Sequence, residues 1–241
     1  MSPPRKTLLI LFIFSVAMGF LETAVVVYLR EIYYPAGFRF PLVPIPGPMA
    51  LVEVLREAAT VVMLVTIGWL AGKSTAQRFC YFLFCFAVWD IFYYIFLKLL
   101  LGWPESLFTF DILFLIPVPW TGPVLAPCVA SLTMIVLTVI VDYYLEKNIP
   151  VRFRPLEWWL LISGAIVMIA SFVRDYFVYA THRGTESALA EANGGNLFDD
   201  FSQYIPQSYS WLLFFIGEAM ILATIVLLIR RLNRVGTLRP I

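Results

Sequence analysis

Charge, histidine and cysteine are all scarce in this chain. Of 241 residues 14% are charged and 61% hydrophobic, and the mean hydropathy is +0.85. A soluble domain is about a quarter charged and about half apolar, so an ordinary soluble globular protein is excluded. The one histidine, His182, rules out bis-histidine haem ligation and argues against histidine-based zinc hydrolysis or a Ser-His-Asp triad within a membrane. Cys80, Cys85 and Cys128 lie in or beside apolar segments and show no zinc or CxxC spacing. They read as small apolar helix residues rather than a disulfide framework. Neither a P-loop nor a dinucleotide fingerprint occurs, and nothing points to nucleic acid.

What the chain does have is long apolar runs. Six can be cut, at about 7–29, 50–71, 79–101, 122–144, 157–179 and 208–229, each able to cross a hydrocarbon core about 30 Å thick. The expected fold class is therefore all-α, a single polytopic bundle of six transmembrane helices spanning residues 1–241. Six crossings put both termini on one side. Eleven of the 17 basic residues fall there, among them Arg5, Lys73, Arg152 and Arg231. The positive-inside rule makes that side cytoplasmic, N-in and C-in. The apolar run of the first segment continues past Ser15-Val16-Ala17 to Leu29, so it reads as a retained helix rather than a cleaved signal peptide.

The outer connections are 30–49, 102–121 and 180–207. The first carries Pro35, Pro41, Pro44, Pro46 and Pro48 and reads as extended, polyproline-like chain. The last is acidic, with Glu186, Glu191, Asp199 and Asp200 around Asn193-Gly194-Gly195-Asn196, and a short helix is expected near 186–192. Between them, 107–116 is apolar but too short to span, about 15 Å as a helix. Pro117, Pro119, Pro123 and Pro127 follow it. Two readings stand: a short re-entrant segment over a cavity, or a surface helix with a Pro-rich connector at the interface.

The ionisable residues are distributed one-sidedly in depth. Glu22, Glu53, Arg56, Glu57, Asp90, Lys98, Asp111, Arg174 and Glu218 fall at mid-membrane or towards the outer side. The inner halves carry little until Asp142, Glu146 and Glu157. A carboxylate at a helix centre costs about 2.5–3.5 kcal/mol, so these groups should face the interior, hold protons or pair with a cation. Glu53, Arg56 and Glu57 share a face at i, i+3 and i+4, as do Asp90, Tyr94 and Lys98. Small residues mark buried faces, with Ser15, Gly19 and Thr23 on the first helix and Ser163, Ala170, Ser171 and Arg174 on the fifth. Most aromatics fit interfacial belts. Trp89, Tyr93 and Tyr94, beside Asp90, suit a pocket for an isoprenoid, quinone or acyl chain.

The stretches Gly19-Phe20-Leu21-Glu22, Leu55-Arg56-Glu57-Ala58-Ala59-Thr60, Trp89-Asp90-Ile91-Phe92-Tyr93-Tyr94, Gly102-Trp103-Pro104-Glu105-Ser106 and Ile116-Pro117-Val118-Pro119-Trp120 resemble a family of uncharacterised bacterial multi-pass membrane proteins. The likeness covers most of 7–135. It implies a bacterial inner membrane, with the periplasm as the outer side, and implies nothing about chemistry.

Three functions fit these observations. The first is a periplasm-facing cavity of ionisable residues (Glu22, Glu53, Arg56, Glu57, Asp90, Tyr94, Lys98, Asp111, Arg174, Glu218) that binds or translocates a small molecule, lipid or ion. The second is an intramembrane enzyme acting on a lipid or lipid-linked substrate through paired acids. The third is a haem-free, non-catalytic subunit of a larger membrane complex of respiratory type. Beyond the bilayer, the partners implied are a lipid, quinone or small ligand, or other membrane subunits. No haem or zinc ligand set is present; a carboxylate-bound divalent cation stays open.

Overall fold

The computed structural model describes residues 3–190 and 203–237, with side chains over 5–182 and 203–234. Six long helices occur among the described residues: α1 (Pro3–Tyr33), α2 (Gly47–Ala71), α3 (Thr75–Leu101), α4 (Leu125–Glu146), α5 (Pro155–Ala190) and α6 (Trp211–Thr237). All but α2 are long and apolar enough to cross a membrane, as an integral membrane protein in contact with a lipid bilayer requires. α2 carries Glu53, Arg56 and Glu57 in its first turns. Outward-facing Leu and Ile such as Ile10, Leu70 and Leu99 give the bundle an apolar exterior.

α3 is the central element, packed along α1, α2 and α4. Its buried residues run round the helix, from Cys80 and Phe84 to Val88 and Leu97, because a helix surrounded by others needs no polar face. Local signals set its ends. Ser74 accepts a hydrogen bond from the Gln77 N–H at 3.2 Å, and Gly102 closes the helix at φ +67°, a left-handed conformation open to glycine. α5 and α6 pack on each other through facing glycines, Gly164 and Gly217. The small-residue stripe expected on α5 is thus displaced: the close contact is made by Gly164, while Ser163 and Ser171 both donate to carbonyls of their own helix and Ser171 also meets the Tyr209 hydroxyl. Two acids at the end away from α3's Gly102 are held by partners from other helices. Arg231 holds both oxygens of Glu157 at 2.9 and 2.8 Å, and the Tyr81 hydroxyl bonds Asp142 at 3.2 Å.

The segment before α4 is a hairpin rather than a surface helix. β1 (Phe110–Phe114) pairs antiparallel with β2 (Trp120–Pro123), Asp111 opposite Gly122 and Ile112 opposite Thr121, with an irregularity between Ile112 and Phe114. Its aromatic residues wedge it between two parts of the bundle. Phe114 stacks on Phe86 of α3, and Trp120 stacks on Phe172 of α5, at centroid separations of 6.1 and 6.3 Å. Protein cover of this kind is what allows non-helical backbone within a helix bundle.

α5 also differs from expectation, since it continues to Ala190 and absorbs residues placed in the third outer loop. The rest of the expected short helix, and the acidic residues Glu191, Asp199 and Asp200, lie outside the described residues. Where the chain returns, Tyr204 is fully buried and bonds Asp175 of α5 at 2.7 Å and Thr121 of β2 at 2.9 Å. Burial pushes its phenol well above the usual range, so the hydroxyl stays a donor to the Asp175 carboxylate. Tyr204→Phe should therefore cost about 1.5–3 kcal/mol, the range for a hydrogen bond to a charged group. Thermal unfolding of the purified chain in detergent measures this. An unchanged midpoint would mean that water replaces the hydroxyl.

Candidate functional site

α1 and α2 pack along α3 rather than along each other, and the space between them is the site. Glycines allow the close approaches that fix this geometry. A Cβ on Gly19 would lie 3.1 Å from the Trp89 carbonyl, and one on Gly68 would lie 2.6 Å from the Phe82 nitrogen. On the same face of α1, Ser15 and Thr23 are fully buried and return their hydroxyls to the Leu11 and Gly19 carbonyls. The cavity left over is about 200 Å³, walled by the three helices, by chain from the 34–45 loop and by residues 111–115 of the hairpin. Glu22 and Arg30, both on α1, line it. Eight residues at about 1.5 Å each give it a depth of about 12 Å.

Two ion-pair groups cross the cavity. Deep inside, Arg56 of α2 bonds Glu22 of α1 and reaches Glu53 one turn back at 2.8 Å, while Thr60 donates to the other Glu22 oxygen. Nearer the hairpin, Arg30 meets Asp111 through a single contact of 3.3 Å. The Arg30 guanidinium also lies over the rings of Trp103 and Phe38, 3.8 and 4.3 Å from their centroids, a cation–π arrangement. Burial raises the Asp111 carboxyl above its ordinary range, and the Arg30 charge opposes that rise. Two further acids have no ion pair among the described residues: Glu57 accepts the Leu115 N–H at 2.8 Å, and Asp90 accepts the Ser131 hydroxyl at 2.8 Å. At the loop edge, Tyr34 accepts the Val43 N–H at 2.9 Å and ties the proline-rich chain to α1. Burial raises the Tyr34 phenol. The remaining lining is apolar, including Val26, Leu29 and residues 42–45 and 112–115. The cavity is amphipathic, with charges fixed by helices and apolar walls between them.

Of the residues singled out from sequence, Glu22, Glu53, Arg56, Glu57, Asp90, Tyr94 and Asp111 line this cavity. Three do not. The Lys98 ammonium turns to the Gly102 and Pro104 carbonyls, at 2.9 and 2.8 Å, and completes the end of α3. Glu218 accepts from Thr133 across the α4–α6 contact. Arg174 borders a separate surface hollow beside Asp175. Arg30, Thr60 and Tyr34 line the cavity without having been singled out. Arg30 reads in sequence as an interfacial cation at a helix end, and only the hairpin's return brings Asp111 to it. Among the described residues, no three carboxylate, histidine or cysteine side chains converge as a metal site.

Compared with models of known protein families, with curated proteins and with solved structures, the chain finds no match. The fold and cavity therefore define the class directly: an apolar helix bundle compatible with membrane insertion, with one amphipathic cavity at its hairpin end.

Proposed function

We propose that the chain is a six-span inner-membrane protein with both termini cytoplasmic, and that its cavity binds a small amphipathic molecule from the periplasmic side. The asymmetry of basic residues supports the orientation, and the bacterial inner membrane is what the sequence resemblance implies. The observation that carries the binding reading is convergence. Ionisable side chains from α1, α2, α3 and β1 meet in one void whose remaining walls are apolar. Structural pairing accounts for Glu22, which Arg56 ties to α2, and for Glu53, which Arg56 holds within α2. It leaves Glu57 and Asp90, which line the same cavity without an ion pair among the described residues. Binding sites commonly combine apolar walls with a few convergent polar groups.

Purification from native membranes in mild detergent, followed by mass spectrometry of what is retained, tests this. An amphipathic species near one per chain is expected from the unaltered protein. Val26→Trp, which fills the cavity from α1, should reduce that occupancy about tenfold or more, the effect of losing about 1.4 kcal/mol. Retention of the same species by Val26→Trp, or nothing retained by the unaltered protein, would leave a structural subunit as the better description.

A further inference from the structure

The cavity leaves particular polar atoms without partners. Arg30 and Asp111 are 7% and 2% exposed, yet they share just one contact, Nη2 to Oδ1. Arg30 Nη1 and Asp111 Oδ2 are both buried and unbonded, as is the indole N–H of Trp89, also in the cavity wall. Buried polar atoms without partners are costly, each by roughly the desolvation of the group. An unbonded donor and an unbonded acceptor therefore sit on one ion pair. A hydroxyl matches that pair, because it accepts one hydrogen bond and donates another. Charge gives a second, independent requirement. Five carboxyls (Glu22, Glu53, Glu57, Asp90, Asp111) and two guanidiniums line the void, and Glu57 and Asp90 are the acids without an ion pair. Beside Asp90 on α3 are Trp89, Tyr93 and Tyr94, whose rings favour a cation.

Building on the amphiphile-binding reading, we propose that the cavity selects an amphiphile whose head carries both an ammonium group and a hydroxyl. The oxygen engages Arg30 and Asp111. The ammonium sits among the carboxyls of Glu57 and Asp90. The apolar body lies along the 42–45 loop chain and the hairpin. An anionic head is disfavoured, since both guanidiniums are already held by Asp111, Glu22 and Glu53 and Glu57 and Asp90 offer it no cation. A plain alcohol answers the first requirement and not the second.

The test uses the full chain in detergent and native mass spectrometry with four probes: N-dodecylethanolamine, dodecane-1,2-diol, dodecanoate and phosphatidylethanolamine. N-dodecylethanolamine should bind one per chain, at least about tenfold tighter than the diol or dodecanoate, since one charge-assisted contact of about 1.4 kcal/mol is worth that factor. Asp90→Asn should remove most of this preference. Trp89→Phe, which keeps an aromatic ring at the wall but removes the indole N–H together with its five-membered ring, should weaken N-dodecylethanolamine severalfold and guards against a misfolded Asp90 variant. Glu105→Gln, at an exposed position outside the cavity, should change nothing. Displacement of N-dodecylethanolamine by phosphatidylethanolamine, whose head carries an ammonium and no hydroxyl, would overturn the hydroxyl assignment, and failure to displace it supports a free amino-alcohol amphiphile. Equal binding of the diol and N-dodecylethanolamine would overturn the head-group assignment and leave the cavity's role intact. Binding of none of the four would overturn both.

Discussion

Arg56→Met should cost the folded chain about 3–5 kcal/mol, the range for removing one partner of a buried ion pair. The side chains of Glu22 and Glu53 are 10% and 9% exposed, and Arg56 itself is 23% exposed, so solvent screens little of this interaction. With methionine at 56, Glu22 keeps the Thr60 hydroxyl as its donor and Glu53 loses its cation. Both acids then face desolvation without compensation. Unfolding with denaturing detergent, followed by circular dichroism or tryptophan fluorescence, gives the change. Adding Glu22→Gln and Glu53→Gln to Arg56→Met should recover most of the loss, because neutral amides tolerate the same site. A loss below about 1 kcal/mol for Arg56→Met alone, well short of the range for a broken buried pair, would mean that the two carboxyls are already protonated in the folded chain. The arginine would then contribute shape rather than charge.

Gly217→Leu should be comparably damaging, at about 3 kcal/mol, the upper end of the usual cost of overpacking. A Cβ at this position would stand 2.6 Å from the Gly164 carbonyl oxygen and 2.8 Å from the Met168 nitrogen. Both are backbone atoms, so no rotamer change relieves the contact and α5 must move away from α6. In a bilayer, helices associate largely through such close packing of small residues, and the separation forfeits the dispersion contacts of Met168, Phe172 and Phe214. Gly47→Ala is the matched control, since a Cβ there has nothing within 4 Å. The yield of folded monomer on size exclusion after graded heating compares the two. Equal yields would show that α5 and α6 are not held by this contact.

The parts that could be read from sequence are those that depend on position along a span. Hydropathy located the apolar helices, and Ser15, Gly19 and Thr23 marked the face of α1 that packs on α3. Depth alone placed Glu22, Glu53, Arg56, Glu57 and Asp90 in one layer. Depth does not give the direction in which a side chain points round the bundle axis. Glu218 is at a similar depth and faces α4 instead, and Lys98 folds back on its own helix end. Arg30 was missed for the same reason, since its partner is supplied by a strand eighty-one positions later. The hairpin itself was hidden because Pro117, Pro119 and Pro123 interrupt any strand pattern, and its residues pack against α3 and α5 through Phe114 and Trp120 instead of presenting a solvent face. No alternation of polar and apolar residues then survives to be recognised. The Gly164–Gly217 contact joins residues on different helices, and neither glycine advertises the other.

All the residues lining the cavity fall between Glu22 and Leu115. During synthesis, every wall of the pocket therefore leaves the ribosome before α5 begins. The C-terminal pair of helices adds a brace, through Phe172 against Trp120, and no lining. Cavity and brace are thus encoded in successive stretches of the message, and the later stretch can change its lipid-facing surface without rewriting the earlier one.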